Sequence, residues 1–207
     1  MTHPDTPSPG LEAVEVHGVT RSSFILKGAL AAGAVYGVGA IAPFVGTALA
    51  ASSDLAILNF ALTLEYLEAD FYQSKGKSVG LSGQAKSIAK SFGEEEAAHV
   101  AALTKAITAS GGKPVKKPTF AFPVTNQASF LKLAYVLENT GVGAYNGAGP
   151  ALKSKALLAA AGSIVQVEAR HAATIGLLTN MSLTPNGAFD KPLSSKQVLA
   201  KAGPLIK

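Results

Sequence analysis

The sequence predicts an all-α protein whose body is a four-helix bundle, made of two helical hairpins joined by a long crossover. Alanine and leucine are abundant, aromatic residues make up only 7% of the chain and tryptophan is absent, which is a composition typical of helices. Four segments carry apolar residues at helical spacing. The connections between them are short, long and short, and a bundle needs the long one where two consecutive helices run parallel.

The first 50 residues are predicted to be an export leader. Arg21 and Lys27 precede an uncharged apolar run over residues 28–50, which ends in "ALA" as a signal cleavage site does. The stretch "TRSSFILKG" resembles the twin-arginine consensus, with Ser22 in place of the second arginine. We therefore predict export to the periplasm, cell envelope or extracellular space through a Sec or Tat-like signal. The alternative is an uncleaved anchor, because the run is long enough to span a bilayer, and membrane contact is expected only in that case.

The first predicted hairpin follows the leader. Its first helix covers "SSDLAILNFALTLEYLEADFYQSKGK" from Ser52, with Asp54 among the candidate N-caps, and glycines as far as Gly80 end it. Its second helix begins near Ser82 and ends at Gly111. The three prolines and two glycines of "GGKPVKKPTFAFPVTNQ" then predict the long irregular crossover.

The second hairpin contains a helix over about residues 128–149 and another over about 154–180. The third helix is rich in glycine, which indicates either that another segment approaches it closely or that it bends. A short helix is predicted at 194–202. Four apolar residues predict that the tail packs on the body: Phe189, Leu193, Val198 and Leu199. The predicted organisation is a leader (1–50), a bundle (51–180) and a C-terminal extension (181–207).

The two hairpins are related by an internal repeat. "LEYLEADFY" matches "LENTGVGAY", and "EAAHVAAL" matches "EARHAATI". The spacing agrees, because Glu96 follows Glu65 by 31 residues and Glu168 follows Glu138 by 30. Beyond Ala50 the chain has only two histidines, and each has a glutamate three residues before it. The repeat thus selects six candidate metal ligands: Glu65, Glu96, His99, Glu138, Glu168 and His171.

The positions of these six residues favour a metal site. Residues three apart share one face of a helix, and each selected glutamate lies on the apolar stripe of its helix. A carboxylate inside a bundle is costly unless it is paired or binds a metal. Two divalent cations would balance four carboxylates in charge. Four carboxylates with two imidazoles also form the oxygen-rich, nitrogen-containing set that suits iron or manganese.

Several other residues allow more than one interpretation. Glu68 lies one turn after Glu65 and is a candidate extra ligand. Because the repeat has Gly141 at the matching position, we instead predict that Glu68 is solvated or supports a ligand from behind. Glu94 and Glu95 are predicted to be a solvated face. Tyr72 and Tyr145 recur two turns after their glutamates. They are expected to hydrogen-bond ligands, to act as redox side chains or to pack in the core.

The composition excludes other classes of site. The chain has no cysteine, which rules out disulfides, thiolate metal sites, iron–sulfur clusters and cysteine nucleophiles. The net charge of +5 comes from lysines that are scattered singly or in pairs, so no nucleic-acid partner is predicted. A Ser/His/Asp triad would need one of the two candidate ligand histidines. No phosphate-binding loop is present in the sequence.

The segments "LNFALTLEYLEADFY", "EEEAAHV", "FAFP", "LENTGVGAYNGAGP" and "VEARHAA" resemble the ferritin-like domain family that includes plant desiccation-related proteins and exported bacterial relatives. The resemblance covers about residues 52–199 and fills all six ligand positions. It implies a ferritin-like four-helix bundle with a di-metal carboxylate centre. By this resemblance Glu96 and Glu168 would bridge the metals, while Glu65 and Glu138 would be terminal ligands. His99 and His171 would each bind one metal.

Two classes of function follow from these expectations. The first is a di-iron or di-manganese oxidoreductase of ferroxidase, peroxidase or catalase type. It would use two Fe or two Mn ions on O2, peroxide or ferrous iron, in stress protection. The second is a stress- or desiccation-associated structural or binding protein whose metal site is vestigial or purely structural. Iron storage in a ferritin-like shell is a third option, and assembly into a homo-oligomer stays open.

Overall fold

The computed structural model describes residues 54–207, and this part of the chain is helical with no strand. The predicted all-α fold class is confirmed. The predicted leader, residues 1–50, lies outside the described residues. No helix within residues 54–207 is long and apolar enough to cross a membrane. The longer helices are α1 at Asp54–Asp70, α2 at Gly83–Ala109, α3 at Gln127–Ala148, α4 at Lys155–Thr179 and α5 at Ser195–Ala202, and short helical segments of three to five residues follow α1, α3 and α5.

The four long helices form the two predicted hairpins. α1 packs mainly on α2, and α3 packs mainly on α4. The chain between the hairpins, residues 110–126, contains no helix, so the irregular crossover is also confirmed. The division into a leader, a bundle and a C-terminal extension stays a prediction.

Two clusters of buried apolar residues show the directions of the helices. One includes Phe71, Phe92 and Phe130 and is called the Phe71 cluster; the other includes Leu62 and Ile107 and is called the Leu62 cluster. α1 and α4 begin in the Leu62 cluster and end in the Phe71 cluster, whereas α2 and α3 run from the Phe71 cluster to the Leu62 cluster. α2 and α3 are therefore parallel, and the chain must travel the length of the bundle between them.

Polar side chains fix the starts of the helices. Asn126 and Ser129 form a capping box at the start of α3. Asp54 is a candidate cap of α1 by sequence. In the structure its carboxylate instead lies at the start of α4. There it accepts hydrogen bonds from the backbone N–H groups of Lys153 at 2.8 Å and Ser154 at 2.9 Å. These two hydrogen bonds lower the pKa of Asp54. They tie the first helix of one hairpin to the last helix of the other.

The tail packs against α3 where that helix has glycines. The N–H of Leu193 donates to the carbonyl of Gly143 at 2.8 Å. A Cβ atom at Gly147 would overlap the carbonyl oxygen of Leu193, so close approach rather than bending explains this glycine. Val198 in α5 is fully buried, as predicted. The same prediction is wrong for Phe189, which is 85% exposed.

Replacing Gly147 by alanine is expected to lower the melting temperature by several degrees. Alanine improves helix propensity by up to ~1 kcal/mol, but the overlap with the Leu193 backbone costs about 1–3 kcal/mol or more. Gly162→Ala in α4 is the matched control, since a Cβ there meets no atom within 4 Å and should raise the melting temperature. Thermal unfolding of both variants checks this. Equal increases in the two variants would contradict the close approach.

Candidate metal centre

The structure brings all six predicted ligand residues together in the middle of the bundle. α1 supplies Glu65 and α3 supplies Glu138, while α2 and α4 each supply a Glu and a His three residues apart. All four glutamates are 0% exposed, and His99 and His171 are 9% and 2% exposed. On α2 and α4 these residues lie between the part in the Phe71 cluster and the part in the Leu62 cluster, and on α1 and α3 they lie within a turn or two of the boundary between the clusters. The site is thus a buried polar layer with apolar packing on both sides.

The side chains form two groups that overlap. The first group is Glu65, Glu96, His99 and Glu168, and the second is Glu96, Glu138, Glu168 and His171. Within each group the potential ligand atoms all lie within 4.8 Å of one another. Only Glu96 and Glu168 belong to both groups. These are the two residues to which the family resemblance assigns bridging roles.

The atoms of Glu96 illustrate how the groups are joined. Its Oε2 lies 2.9 Å from Nδ1 of His99, and its Oε1 lies 2.9 Å from Nδ1 of His171. Nδ1 of His99 is also 3.2 Å from Oε2 of Glu65. Nδ1 of His171 is 3.3 Å from Oε2 of Glu138. One carboxylate thus presents an oxygen to each half of the site.

The donor atoms fit a divalent cation. Five buried atoms of the site have no hydrogen-bond partner among the described residues: Glu96 Oε1, Glu138 Oε2, Glu168 Oε1, Glu168 Oε2 and His171 Nδ1. The buried side chains of residues 54–207 include five glutamates and no lysine or arginine. Buried charges need a partner, and a bound metal ion would supply one to carboxylate oxygens and imidazole nitrogens such as these. Carboxylate oxygens with imidazole nitrogens suit iron or manganese.

The electrostatics of the cluster show how closely the charges are packed. Burial raises the pKa of Glu65 to about 8, and burial followed by the charge of Glu65 raises that of Glu168 well above its usual value. Burial also acts on Glu96, but the neighbouring imidazoles of His171 and His99 outweigh it and lower the pKa of Glu96 to about 2. Burial lowers the histidine values, but nearby carboxylates outweigh it and raise the pKa of His99 to about 12 and of His171 to about 11.

Each of the two glutamates that belong to only one group, Glu65 and Glu138, is hydrogen-bonded by a tyrosine from the opposite hairpin. The hydroxyl of Tyr72 donates to Oε1 of Glu138, and the hydroxyl of Tyr145 donates to Oε1 of Glu65. Tyr72 belongs to the Phe71 cluster and Tyr145 to the Leu62 cluster, so two of the three expected roles, core packing and a hydrogen bond to a candidate ligand, are both observed. Tyr72 lies in a π-helical turn, Phe71–Lys75, that follows α1. Burial and the neighbouring carboxylates raise the pKa of both tyrosines well above the usual value, so each hydroxyl keeps its proton.

Glu68 is a fifth buried carboxylate beside the cluster. It is 3% exposed and lines a small cavity with Thr140 and Gly141, so the expectation that it is solvated is wrong. It belongs to neither of the two groups. A Cβ at Gly141 would lie 2.9 Å from Oε2 of Glu168 and 3.4 Å from Oε1 of Glu68, so the glycine gives both carboxylates room. The helical spacing from Glu65 is enough to place Glu68 near the site. Its burial could not be read from the sequence, because it results from the packing of α3 against α1.

Glu95 contacts the cluster, which the sequence did not indicate, so the prediction of a solvated face holds for Glu94 but is wrong for Glu95. Glu94 is exposed as predicted, and its side chain lies 3.9 Å from Lys90. The Glu95 side chain is 45% exposed, but its Oε2 lies 2.5 Å from Nε2 of His171. The contact joins α2 to α4, and the repeat gives no signal for it because Val167 occupies the matching position.

These observations define a helical bundle with a buried carboxylate–histidine cluster compatible with metal binding, in which two helices each supply a Glu-x-x-His pair. The family described as "Ferritin-like domain" matches residues 53–181. The chain therefore belongs to the ferritin-like domain family, and the resemblance inferred from the sequence is confirmed at that level. No curated protein matches the chain.

Proposed function

We propose that the protein binds two iron or two manganese ions at this cluster and uses them in redox chemistry on O2 or peroxide, or in the oxidation of ferrous iron. The overlap of the two groups at Glu96 and Glu168 carries the proposal. Each group offers three carboxylates and one imidazole, and the shared pair would link one ion to the other. Bound iron or manganese would supply reversible one-electron chemistry and polarise a bound oxygen species.

The residues of this chain would hold and shield the ions. Glu65 with His99 and Glu138 with His171 would each complete one half of the site. Tyr145 donates to one oxygen of Glu65 and leaves its Oε2 facing His99. The two apolar clusters restrict the access of water on both sides of the polar layer, which strengthens electrostatic interactions inside it. The predicted leader would place this chemistry outside the cytoplasm.

Metal analysis of the purified full chain tests the proposal. We expect about two Fe or Mn ions per chain and a reaction with hydrogen peroxide on the same sample. The double variant His99→Ala/His171→Ala should lose most of the metal, because each half loses its only imidazole. Glu94→Ala, at an exposed position on the same helix, should keep it.

Two outcomes would contradict the proposal in different ways. Equally low metal content in the wild type and the double histidine variant would exclude a metal centre of this kind. Two tightly bound ions with no reaction toward O2, peroxide or ferrous iron would exclude the redox function. That second result would favour the alternative, a structural or binding protein whose metal site has no catalytic role.

A further inference from the structure

The two histidines of the cluster have different surroundings on the side facing away from the carboxylates. Nε2 of His171 lies 2.5 Å from Oε2 of Glu95. Within residues 54–207 the structure shows no hydrogen bond at Nε2 of His99. The repeat explains the difference, because Val167 occupies the position in α4 that Glu95 occupies in α2.

An aromatic contact adds to the difference. The ring of Phe92 stacks on the imidazole of His171 with centroids 3.7 Å apart. The position that matches Phe92 in the repeat is Ile164, so His99 has no equivalent ring from α4. His171 is therefore held on its face by Phe92 and at Nε2 by Glu95, whereas His99 lacks both constraints.

This arrangement determines which nitrogen of His171 can bind a metal. Nδ1 points toward Glu96 at 2.9 Å and Glu138 at 3.3 Å, so it is the nitrogen directed into the cluster. Nε2 then carries a proton and donates it to Glu95. A carboxylate bonded to the outer nitrogen fixes the tautomer and the ring orientation, and it makes the inner nitrogen a stronger donor.

We propose that the two metal positions are unequal and that the half formed by Glu138 and His171 binds its ion first and more tightly, because Glu95 supports His171. The proposal deepens the proposed function and depends on it. Glu95 acts as a positioning residue, since it touches the histidine rather than the ion. Loss of such an outer partner typically weakens metal affinity by about 10- to 100-fold.

A binding titration tests this inequality without any activity measurement. The chelator-treated full chain is titrated with Mn²⁺, followed by electron paramagnetic resonance, and with Fe²⁺ under anaerobic conditions. The wild type should bind in two steps whose affinities differ by about 10- to 100-fold. Glu95→Gln should weaken the tighter step so that the two steps converge. Glu95→Asp should restore part of the difference.

Two further variants separate this role from a general effect on folding. Val167→Glu places a carboxylate at the matching position of the other half and should strengthen the weaker step. Glu94→Gln removes a neighbouring exposed carboxylate and should change neither step. Melting temperatures of all variants, measured after chelation, show whether the fold is preserved.

The outcomes distinguish this inference from the proposed function. Two ions bound with equal affinity by the wild type would overturn the inequality while leaving the metal centre in place. Unchanged two-step binding in Glu95→Gln would show that Glu95 is not its cause. No binding of either ion by the wild type would overturn the proposed function, and this inference with it.

Discussion

Glu168→Gln is expected to weaken the binding of both metal ions, whereas Glu138→Gln is expected to weaken the binding of only one. Glu168 belongs to both groups of potential ligands, and Glu138 belongs to one. A glutamine has nearly the shape of glutamate but offers one ligand oxygen and no charge. It therefore cannot join two ions through two oxygens, so both positions lose affinity when the shared residue is changed.

The loss of metal affinity in Glu168→Gln should exceed the loss in Glu95→Gln, which changes a residue that touches a histidine rather than the ion. Because Glu168 would contact the ions directly, we expect its loss to cost more than the roughly 10- to 100-fold found for residues behind a ligand. Metal content after dialysis should fall from two ions per chain toward none in Glu168→Gln and toward one in Glu138→Gln. Glu96→Gln should behave like Glu168→Gln, since Glu96 presents one oxygen to each histidine.

Glu68→Gln is the matched control for this comparison. It removes a carboxylate that is also buried, at 3% exposure against 0% for Glu168, and that lies close to Glu168 but belongs to neither group. The variant should keep two ions. If Glu68→Gln lost as much metal as Glu168→Gln, a general loss of buried negative charge would explain the data better than shared ligands. Retention of two ions at unchanged affinity in Glu168→Gln would contradict the two-ion arrangement itself.

The sequence was sufficient to predict the four helices and the six clustered residues, for two physical reasons. Helical periodicity reports which face of each helix is buried, so a glutamate on the apolar stripe stands out. The internal repeat then pairs Glu65 with Glu138 and Glu96 with Glu168. Both signals are read directly from the order of residues along the chain, and they need no knowledge of how the helices are rotated against each other.

Contacts between helices were harder to predict. The bond from Glu95 to His171 depends on the relative rotation of α2 and α4, and Glu95 lies off the apolar stripe of its own helix. The glycines of α3 left two explanations open, and only the position of Leu193 shows that the tail passes over Gly147. The exposure of Phe189 was missed because an apolar residue in a turn-rich tail gives no periodic signal.

The chelator-treated protein is expected to become less stable as the pH rises from 5 to 8. Burial raises the pKa of Glu65 from 4.5 to about 8, so the unfolded chain loses this proton at a lower pH than the folded chain. Stability is therefore lost between about pH 4.5 and 8. Burial raises the pKa of Glu68 and Glu168 in the same direction. All three carboxylates thus destabilise the fold as they are forced to ionise.

The histidines act in the same direction over the upper part of this range. The pKa values of His99 and His171 are raised from 6.5 to about 12 and about 11, so their contribution is complete below pH 6.5 and declines above it. Glu96 has its pKa lowered to about 2, so its contribution is already complete above pH 4.5 and stays constant from pH 5 to 8. No described group of the cluster offsets the loss.

Thermal unfolding of the chelator-treated chain at several pH values measures this effect. When the pKa of a group differs by one unit between the folded and the unfolded chain, the free energy of unfolding changes by about 1.4 kcal/mol across the titration of that group. A net loss of a few kcal/mol lowers the melting temperature by about 10 °C for a domain of this size. Glu65→Gln should show a smaller decline, because one of the titrating carboxylates is gone.

Metal binding should oppose this pH dependence, which links the measurement to the site rather than to the fold in general. Coordination requires deprotonated carboxylates and therefore strengthens with pH, and an ion that binds only the folded chain stabilises it. The gap in melting temperature between the metal-loaded and chelator-treated protein should widen from pH 5 to 8. The melting temperature of the chelator-treated protein could instead stay constant or rise over this range. That result would show that ionisation of the buried carboxylates does not destabilise the fold, so that a pair of cations would have no such repulsion to relieve.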